Sequence, residues 1–469
     1  MAERLRNSIE SSGSGVRWTP EAGYFVLSRG VWRSDSLDGV RTRAQEVARS
    51  LWAEARELAA EIEGMDDADA KPYRRRVANL VGFAKHANST RGIDSMIREL
   101  RALPGVAIEF ADFDRHPDRM AVMNGVVNLR TGDLLDHDPG LLLTRRVDFS
   151  YDPAATAPRW ERFLDEVFPA YPDLPAFVRR LVGYGVTGET SEQCFAVHYG
   201  KGANGKSVFT DTLTEVFRSL TVTTPFSTFE QKPAGSIPND LAALKGARLV
   251  MASEGEAGRP MAEAVLKRVT GRDLISARFM RQEFFEFRPS FLLMLASNYK
   301  PAFRGQDDGL WRRVKLIPWE RFFRPEERDY RLPEVLSNEA EGILAWAVRG
   351  AVEWYAGGLQ DPDVIREGVA EYRAASDVLN GFLPGVFEEG DPDDKIKATE
   401  VFSEFQIYAE EHNFRDLKTW SSRGLYAALE ERGFARKRST GGTFYVFGLR
   451  KTEEAPRAGG ARLAHVPSD

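Results

Sequence analysis

The octet Gly200-Lys201-Gly202-Ala203-Asn204-Gly205-Lys206-Ser207 has the spacing GxxxxGK(S/T). Its glycines let the backbone turn sharply and aim N–H groups at phosphate oxygens. The Lys206 amine suits the β- and γ-phosphates of a nucleoside triphosphate, and the Ser207 hydroxyl suits Mg²⁺. The apolar run Cys194–Tyr199 before the loop reads as a buried strand. After it, Phe209, Leu213, Val216, Phe217 and Leu220 recur on one helical face. A helix N-terminus adds positive potential where phosphates would sit. Strand, loop and helix together imply a site for ATP and Mg²⁺. A glycine-rich surface turn with a chance lysine would lack both flanks.

Hydrolysis needs more groups, and three later segments offer them. In "GARLVMASEGE" the apolar residues Leu249–Ala252 read as a buried strand ahead of Glu254, with Glu256 two residues on. Glu254 is placed to hold the water shell of Mg²⁺ and polarise an attacking water, with Glu256 as a supporting acid. In "FEFRPSFLLMLASNYKP" an apolar strand ends at Asn298, whose amide can orient that water or cap a turn before Pro301. In "QDDGLWRRVKLIPW" the pair Arg312 and Arg313 suits transition-state phosphate charge, although taken alone the segment favours a surface salt bridge to Asp307 or Asp308.

Around these residues the chain must supply about three domains, since 469 residues exceed one ordinary core. Apolar content of 42% and charged content of 29% indicate a globular class. The net charge of −6 leaves nucleic-acid binding to local basic patches. Cys194 is the sole cysteine, which excludes a disulfide framework and a cysteine zinc site. No signal-like or membrane-spanning run stands out, so a cytoplasmic protein without membrane contact is expected.

Composition suggests a flexible segment over 1–16 and a mainly helical α+β unit over 17–150. The Pro- and Ala-rich stretch near 150–158 reads as a linker. Alternating strand and helix over 159–330 predicts an α/β sheet, followed by a helical segment over 331–390. Over 394–450 the order helix, helix, two strands predicts a winged helix whose strands turn at Ser439–Gly442. Ser421 and Ser422 are candidate caps for its second helix. Arg436, Lys437 and Arg438 lie at the wing base beside Arg423, a basic set suited to DNA phosphates, the alternative being a domain-docking module with a solvated basic edge. Residues 452–469 read as a disordered tail.

GKGANGKS, RLVMASEGE, LLMLASN and GLWRRVKLIPW, in that order, resemble superfamily 3 helicases. The set is most similar to the poxvirus-type and phage/plasmid primase-helicase family. That resemblance implies an AAA+-like core, hexameric rings that hydrolyse ATP between subunits, and 3′→5′ travel on single-stranded and forked DNA. It gives Lys206 and Ser207 to nucleotide and Mg²⁺, Glu254 to the acid role and Asn298 to the polar sensor role. Arg312 becomes the arginine supplied in trans, with Arg313 as alternative. Lys267–Glu286 resembles a hairpin that enters the ring channel. Its tip would offer Arg278 and Arg281 to phosphates and Phe279 to base stacking. Lys267 and Arg268 would face either the channel or a neighbour's nucleotide.

Relatives of this kind often carry a primase ahead of the motor. Asp112 and Asp114 imitate a two-metal acid pair but lack supporting ligands at a plausible spacing, so a primase or polymerase partner is expected on another chain. The N-terminal helices are expected either to form a collar or to stand as a self-contained domain. A bacterial cytoplasmic setting with phage or plasmid origin is implied. Two other readings use the same residues: an ATPase that loads or remodels another protein, and a nucleotide-dependent DNA-binding initiator or adaptor.

Overall fold

The computed structural model describes residues 1–232, 239–253, 259–278, 285–303, 305–377, 379–411, 421–439 and 441–452, without the side chains of residues 239 and 384. The chain opens with α1 (Ala2–Glu10) and a three-stranded antiparallel sheet of β1 (Val16–Thr19), β2 (Gly23–Ser28) and β3 (Val31–Ser34). Helices α2 (Gly39–Ala60), α3 (Asp67–Ala87) and α4 (Thr90–Leu100) follow. The flexible start expected over 1–16 is instead largely helical. Leu5 and Ile9, one turn apart, are buried in the core that α1 shares with α2 and α4. The polar composition of the segment conceals this narrow apolar stripe.

β4 (Arg119–Val122), β5 (Gly125–Asn128) and β6 (Leu134–Leu135) make a second antiparallel meander. Its residues Met120, Val122, Val127 and Leu129 belong to the central core, not to the N-terminal one. Tyr151 and Ala157, at the ends of the expected linker, are buried in that core as well. The hydrophobic core therefore does not divide where the composition changes.

The central layer is built from α5 (Pro158–Val167), α6 (Leu174–Thr187), β7 (Phe195–Tyr199), α7 (Lys206–Val216), β8 (Thr221–Pro225), α8 (Asn239–Ala242) and β9 (Leu249–Ser253). It continues through α9 (Glu263–Val269), the hairpin β10 (Ile275–Ala277) and β11 (Phe285–Phe287), β12 (Leu292–Ser297), α10 (Asp308–Trp311) and β13 (Val314–Pro318). Five strands form a parallel sheet in the order β13-β7-β12-β9-β8. Both faces are covered, which is why the inner strands read as unbroken apolar runs. Ala196, Met251 and Met294 face one core, with α5, α6 and α7, while Phe195, Val197 and Leu295 face the other, with α9 and the hairpin.

Helices α11 (Leu332–Asn338), α12 (Ala340–Gly357) and α13 (Asp363–Ser376) complete the two layers rather than standing apart. α12 crosses α6 at a pair of glycines. A Cβ on Gly183 would lie 2.1 Å from the Ala351 backbone nitrogen, and one on Gly350 would lie 2.0 Å from the Arg179 carbonyl oxygen.

The last unit contains α14 (Leu379–Gly385, kinked at Leu383), β14 (Phe387–Glu389), β15 (Lys395–Lys397), α15 (Ala398–Glu411), α16 (Ser422–Glu431), β16 (Arg436–Arg438), β17 (Phe444–Phe447) and β18 (Leu449–Lys451). The expected order of helix, helix, strand, turn, strand is present. β15 adds a third strand, giving the sheet β15-β17-β16, and β14 pairs with β18. Ser421 is the N-cap of α16, its side chain accepting from Gly424 N at 3.2 Å. The tail beyond Thr452 lies outside the described residues. Among the described residues no helix is long and apolar enough to cross a membrane.

Candidate functional site

The glycine-rich loop leaves the carboxyl end of β7 and turns directly into α7. Gly205, at φ +89°, takes a conformation that L side chains avoid, and a Cβ there would lie 2.8 Å from Val167 Cγ1 and 3.0 Å from Phe163 Cε2. α5 thus presses against the base of the loop. A Cβ on Gly200 would lie 2.2 Å from the Trp319 carbonyl oxygen, so the segment after β13 closes on the loop from the other side. Two hydrogen bonds fix this approach: Asn204 Nδ2 donates to Trp319 O at 3.0 Å, and Phe323 N donates to Ala203 O at 2.8 Å. Ala203 itself has φ +49°, an uncommon backbone for a side-chain residue.

Lys206 is buried, and its amine donates to Gly200 O and to Asn204 Oδ1, the latter at 3.3 Å. Burial lowers the pKa of this amine. Ser207 and Lys201 are exposed, Ser207 within the first turn of α7. An amine, a hydroxyl and a glycine-shaped backbone at a helix N-terminus form a donor set that fits a triphosphate and a hard cation. Beneath the loop, Trp160 stacks on Phe209 of α7 at 5.5 Å and meets Trp346 of α12 edge-on at 5.4 Å. An aromatic column therefore connects the helix that carries Lys206 to the helix after the sheet.

Register brings the other candidates to the same edge. Ser297 lies beside Tyr199, so exposed Asn298 comes alongside Gly200. Ser253 lies beside Ala296, so β9 ends at this edge too. Glu254 and Glu256, next in the chain, lie outside the described residues.

The two arginines sit elsewhere. Arg313 O accepts from Phe195 N, which fixes both at the amino end of β7. That is the length of the strand, about 17 Å, from the loop. Arg313 is buried; Nε donates to Gly309 O at 2.8 Å and Nη1 to Thr270 Oγ1 at 3.3 Å, so its charge is spent on fixing α9 and α10 to the sheet. Burial, and then Arg312, lower its pKa. Arg312 is exposed and donates to Gln193 Oε1 at 3.1 Å. The acids that could have claimed it are engaged elsewhere, Asp307 by Lys267 at 2.6 Å and Asp308 by Arg373 at 2.7 Å. Arg268, next to Lys267, is exposed.

The expected hairpin is present, with Ile275 opposite Phe287 and Ala277 opposite Phe285. Its base is buried against the sheet, and Arg278 follows β10. Phe279 and Arg281 lie outside the described residues. Sequence reasoning missed Lys245, whose amine lies 3.5 Å from the Phe110 ring centroid and 5.0 Å from that of Phe285. It joins the N-terminal unit to the hairpin base, and burial lowers its pKa to about 8. Asp112 and Asp114 hold local structure: Asp112 pairs with Arg115 at 2.8 Å, and Asp114 accepts from Thr144 N at 2.8 Å.

In the C-terminal unit the four basic residues do not form one patch. Arg423, Lys437 and Arg438 are exposed, whereas Arg436 is sandwiched between the rings of Tyr426 and Phe444, at 4.5 and 4.2 Å. Strand alternation puts Lys437 on the opposite face from Arg436 and Arg438.

Residues 2–169 match the family described as D5 N terminal like, and residues 198–313 match a family of unknown function, DUF5906. The second match spans the loop, the end of β9, the hairpin and the arginine pair. A protein of Acanthamoeba polyphaga mimivirus, provisionally named a helicase, is 24% identical over 375 residues, covering 74% of this chain and 39% of the viral protein. A similarly named protein of Invertebrate iridescent virus 6 is 25% identical over 275 residues, covering 56% of this chain and 28% of that protein. This chain thus spans well under half the length of these relatives. The structure of the C-terminal region of NrS-1 covers 95% of this chain and is itself covered to 98%, at 10% identity and a TM-score of 0.47. The sequence likenesses support a helicase-family protein.

Proposed function

We propose that this chain is an ATP-driven DNA helicase of the superfamily 3 type, a hexameric ring that moves 3′→5′ on single-stranded DNA at a fork. The observation that carries this reading is the division of one parallel sheet into two working edges. The glycine loop, Asn298 and the exit of β9 toward Glu254 share the carboxyl edge, while exposed Arg312 stands at the amino edge.

In this reading the Lys206 amine exchanges its carbonyl partner at Gly200 for phosphate oxygens of ATP. An anion also restores the charge that burial disfavours. Ser207, with Glu254 acting through water, would hold Mg²⁺, which would supply charge neutralisation to the triphosphate. Asn298 orients the attacking water and Glu254 draws its proton. Arg312 cannot reach its own loop across the strand, so it serves the loop of the next subunit. The hairpin β10–β11 reaches the DNA strand through Arg278, Phe279 and Arg281, and Arg423, Lys437 and Arg438 contact phosphates elsewhere on the fork.

The test is strand displacement on a labelled fork with ATP and Mg²⁺. The wild-type chain is expected to release the displaced strand, and Lys206→Ala to abolish both release and ATP turnover. Turnover without displacement by the wild-type chain would favour a loader or remodeller. Displacement by Lys206→Ala would sink the reading.

A further inference from the structure

We infer that one face of the C-terminal three-stranded sheet is a stacking platform for single-stranded DNA. It is distinct from the hairpin and from the face that carries Arg436 and Arg438. Antiparallel partners share a face, and the register sets Lys395 opposite Phe447 and both Lys397 and Lys437 opposite Tyr445. Two rings in the central strand are therefore flanked by three lysines from the two outer strands. The opposite face carries Ile396 and Val446 into the core of the unit.

The three lysines are exposed and the two rings half-buried, so the rings present a face to solvent within a fringe of cations. The Lys395 amine lies 5.6 Å from the Tyr445 ring centroid and 5.9 Å from that of Phe447, and the Lys437 amine lies 5.4 Å from that of Phe447. Among the described residues the lysines paired with carboxylates are Lys232, Lys267, Lys315 and Lys451. None of these three is among them. Lys451, on the following strand β18 of the neighbouring two-stranded sheet, is by contrast held by Glu400 and Glu404. In the turn before β15 the Asp394 carboxylate accepts from Asp391 N at 2.9 Å.

Unpaired cations around aromatic rings suit a polyanion that also carries flat apolar surfaces, which is a nucleic acid rather than an acidic peptide. The spacing selects a single strand. Tyr445 and Phe447 stand two residues apart on β17, about 7 Å. That is about twice the 3.4 Å base step of a stacked helix, so the rings match bases of an extended strand and not those of a duplex. The choice of DNA rests on the helicase reading above; the platform itself does not depend on ATP turnover.

The experiment uses the full chain carrying Lys206→Ala, so that binding is separated from turnover, and fluorescence anisotropy with labelled oligo-dT over a salt series. Lys395→Gln/Lys397→Gln/Lys437→Gln is expected to flatten the log Kd against log salt slope by about 2, since each phosphate neutralised on a single strand adds about 0.7 to that slope. Tyr445→Leu/Phe447→Leu keeps apolar bulk and is expected to weaken binding at least about tenfold, with the salt slope kept. An abasic strand of equal length should not register the aromatic change. Thermal unfolding confirms that each variant is folded. Unchanged affinity in either set, an equal aromatic loss on the abasic strand or on a blunt duplex, or equal competition by oligo-glutamate would overturn the platform. Those failures leave the motor reading intact. Conversely, face-dependent binding by a chain whose wild-type form never hydrolyses ATP would sink the motor and leave the platform.

Discussion

Asn204 Nδ2 donates a 3.0 Å hydrogen bond to the carbonyl of Trp319 across 115 positions of sequence. This bond ties the glycine-rich loop to the segment leaving β13, the strand whose far end follows Arg312 and Arg313. The same amide accepts from the Lys206 amine through its oxygen. One side chain therefore sets both the shape of the loop and the resting position of its cation, and it connects the two edges of the sheet through a single strand.

Asn204→Ala should for that reason cost more than an ordinary loop change. It leaves the Trp319 carbonyl without this donor in a buried setting, a loss of about 1–3 kcal/mol in urea unfolding. It also frees the loop, so affinity for a non-hydrolysable ATP analogue should fall at least about tenfold by calorimetric titration. Asn204→Asp keeps an acceptor for Lys206 but loses the donor. It should reproduce much of the stability loss, and wild-type stability in both variants would show the brace to be idle.

Arg312 and Arg313 are adjacent, yet their substitution should separate cleanly. Arg312 is exposed, so Arg312→Ala is expected to change stability by less than about 0.5 kcal/mol while abolishing ATP turnover and retaining nucleotide binding. Arg313→Ala removes buried bonds to Gly309 and Thr270 and should cost about 2–3 kcal/mol. Mixing Arg312→Ala with Lys206→Ala chains should restore part of the turnover, because some interfaces then combine an intact lysine with an intact arginine. Mixtures that stay inactive at every ratio would remove the trans role.

The parts legible in the sequence were those whose cause is local. β7, β9 and β12 are buried on both faces and read as apolar runs, and the Ser421 cap follows from neighbouring residue types, whereas the hairpin was implied by the family resemblance. What could not be read depends on distant partners. Nothing in "WRR" says that the second arginine turns inward, since that follows from Thr270 arriving beside it. The Asn204 brace needs Trp319, and the start of the chain folds because α4 offers Leu5 and Ile9 an apolar face. Grouping by charge along the sequence does not show that alternation along β16 separates Lys437 from Arg436 and Arg438.

The crossing of α6 and α12 gives a stability prediction with an internal control. Gly183→Ala places a methyl 2.1 Å from the Ala351 backbone nitrogen, so the helices must part. The cost is about 1–3 kcal/mol in spite of a gain of about 1 kcal/mol in helix propensity. Gly82, inside α3, has nothing within 4 Å of a Cβ, so Gly82→Ala should stabilise by about 0.5–1 kcal/mol. Equal effects at both glycines in thermal unfolding would contradict the close crossing.

His198 predicts an acid sensitivity rooted under the loop. It is fully buried, and its Nδ1 accepts from Trp319 Nε1 at 3.1 Å, so the neutral ring carries its proton on Nε2. That nitrogen has no hydrogen-bond partner among the described residues. Burial, and then the charge of Lys206, push the pKa down to about 3, against 6.5 for the free ring. Between those values the unfolded chain binds a proton at this position and the folded chain does not, so stability rises with pH across the window and falls as acid is added. The slope from this one group reaches about 1.4 kcal/mol per pH unit. His198→Gln removes the titration. It should be less stable than the wild type at pH 7, where the packed ring is lost, but lose stability less steeply from pH 6.5 down to pH 4. Urea midpoints of the two chains should therefore converge on acidification. Parallel curves would mean that His198 takes up its proton in the folded chain as readily as in the unfolded one, and would contradict its burial as a neutral ring.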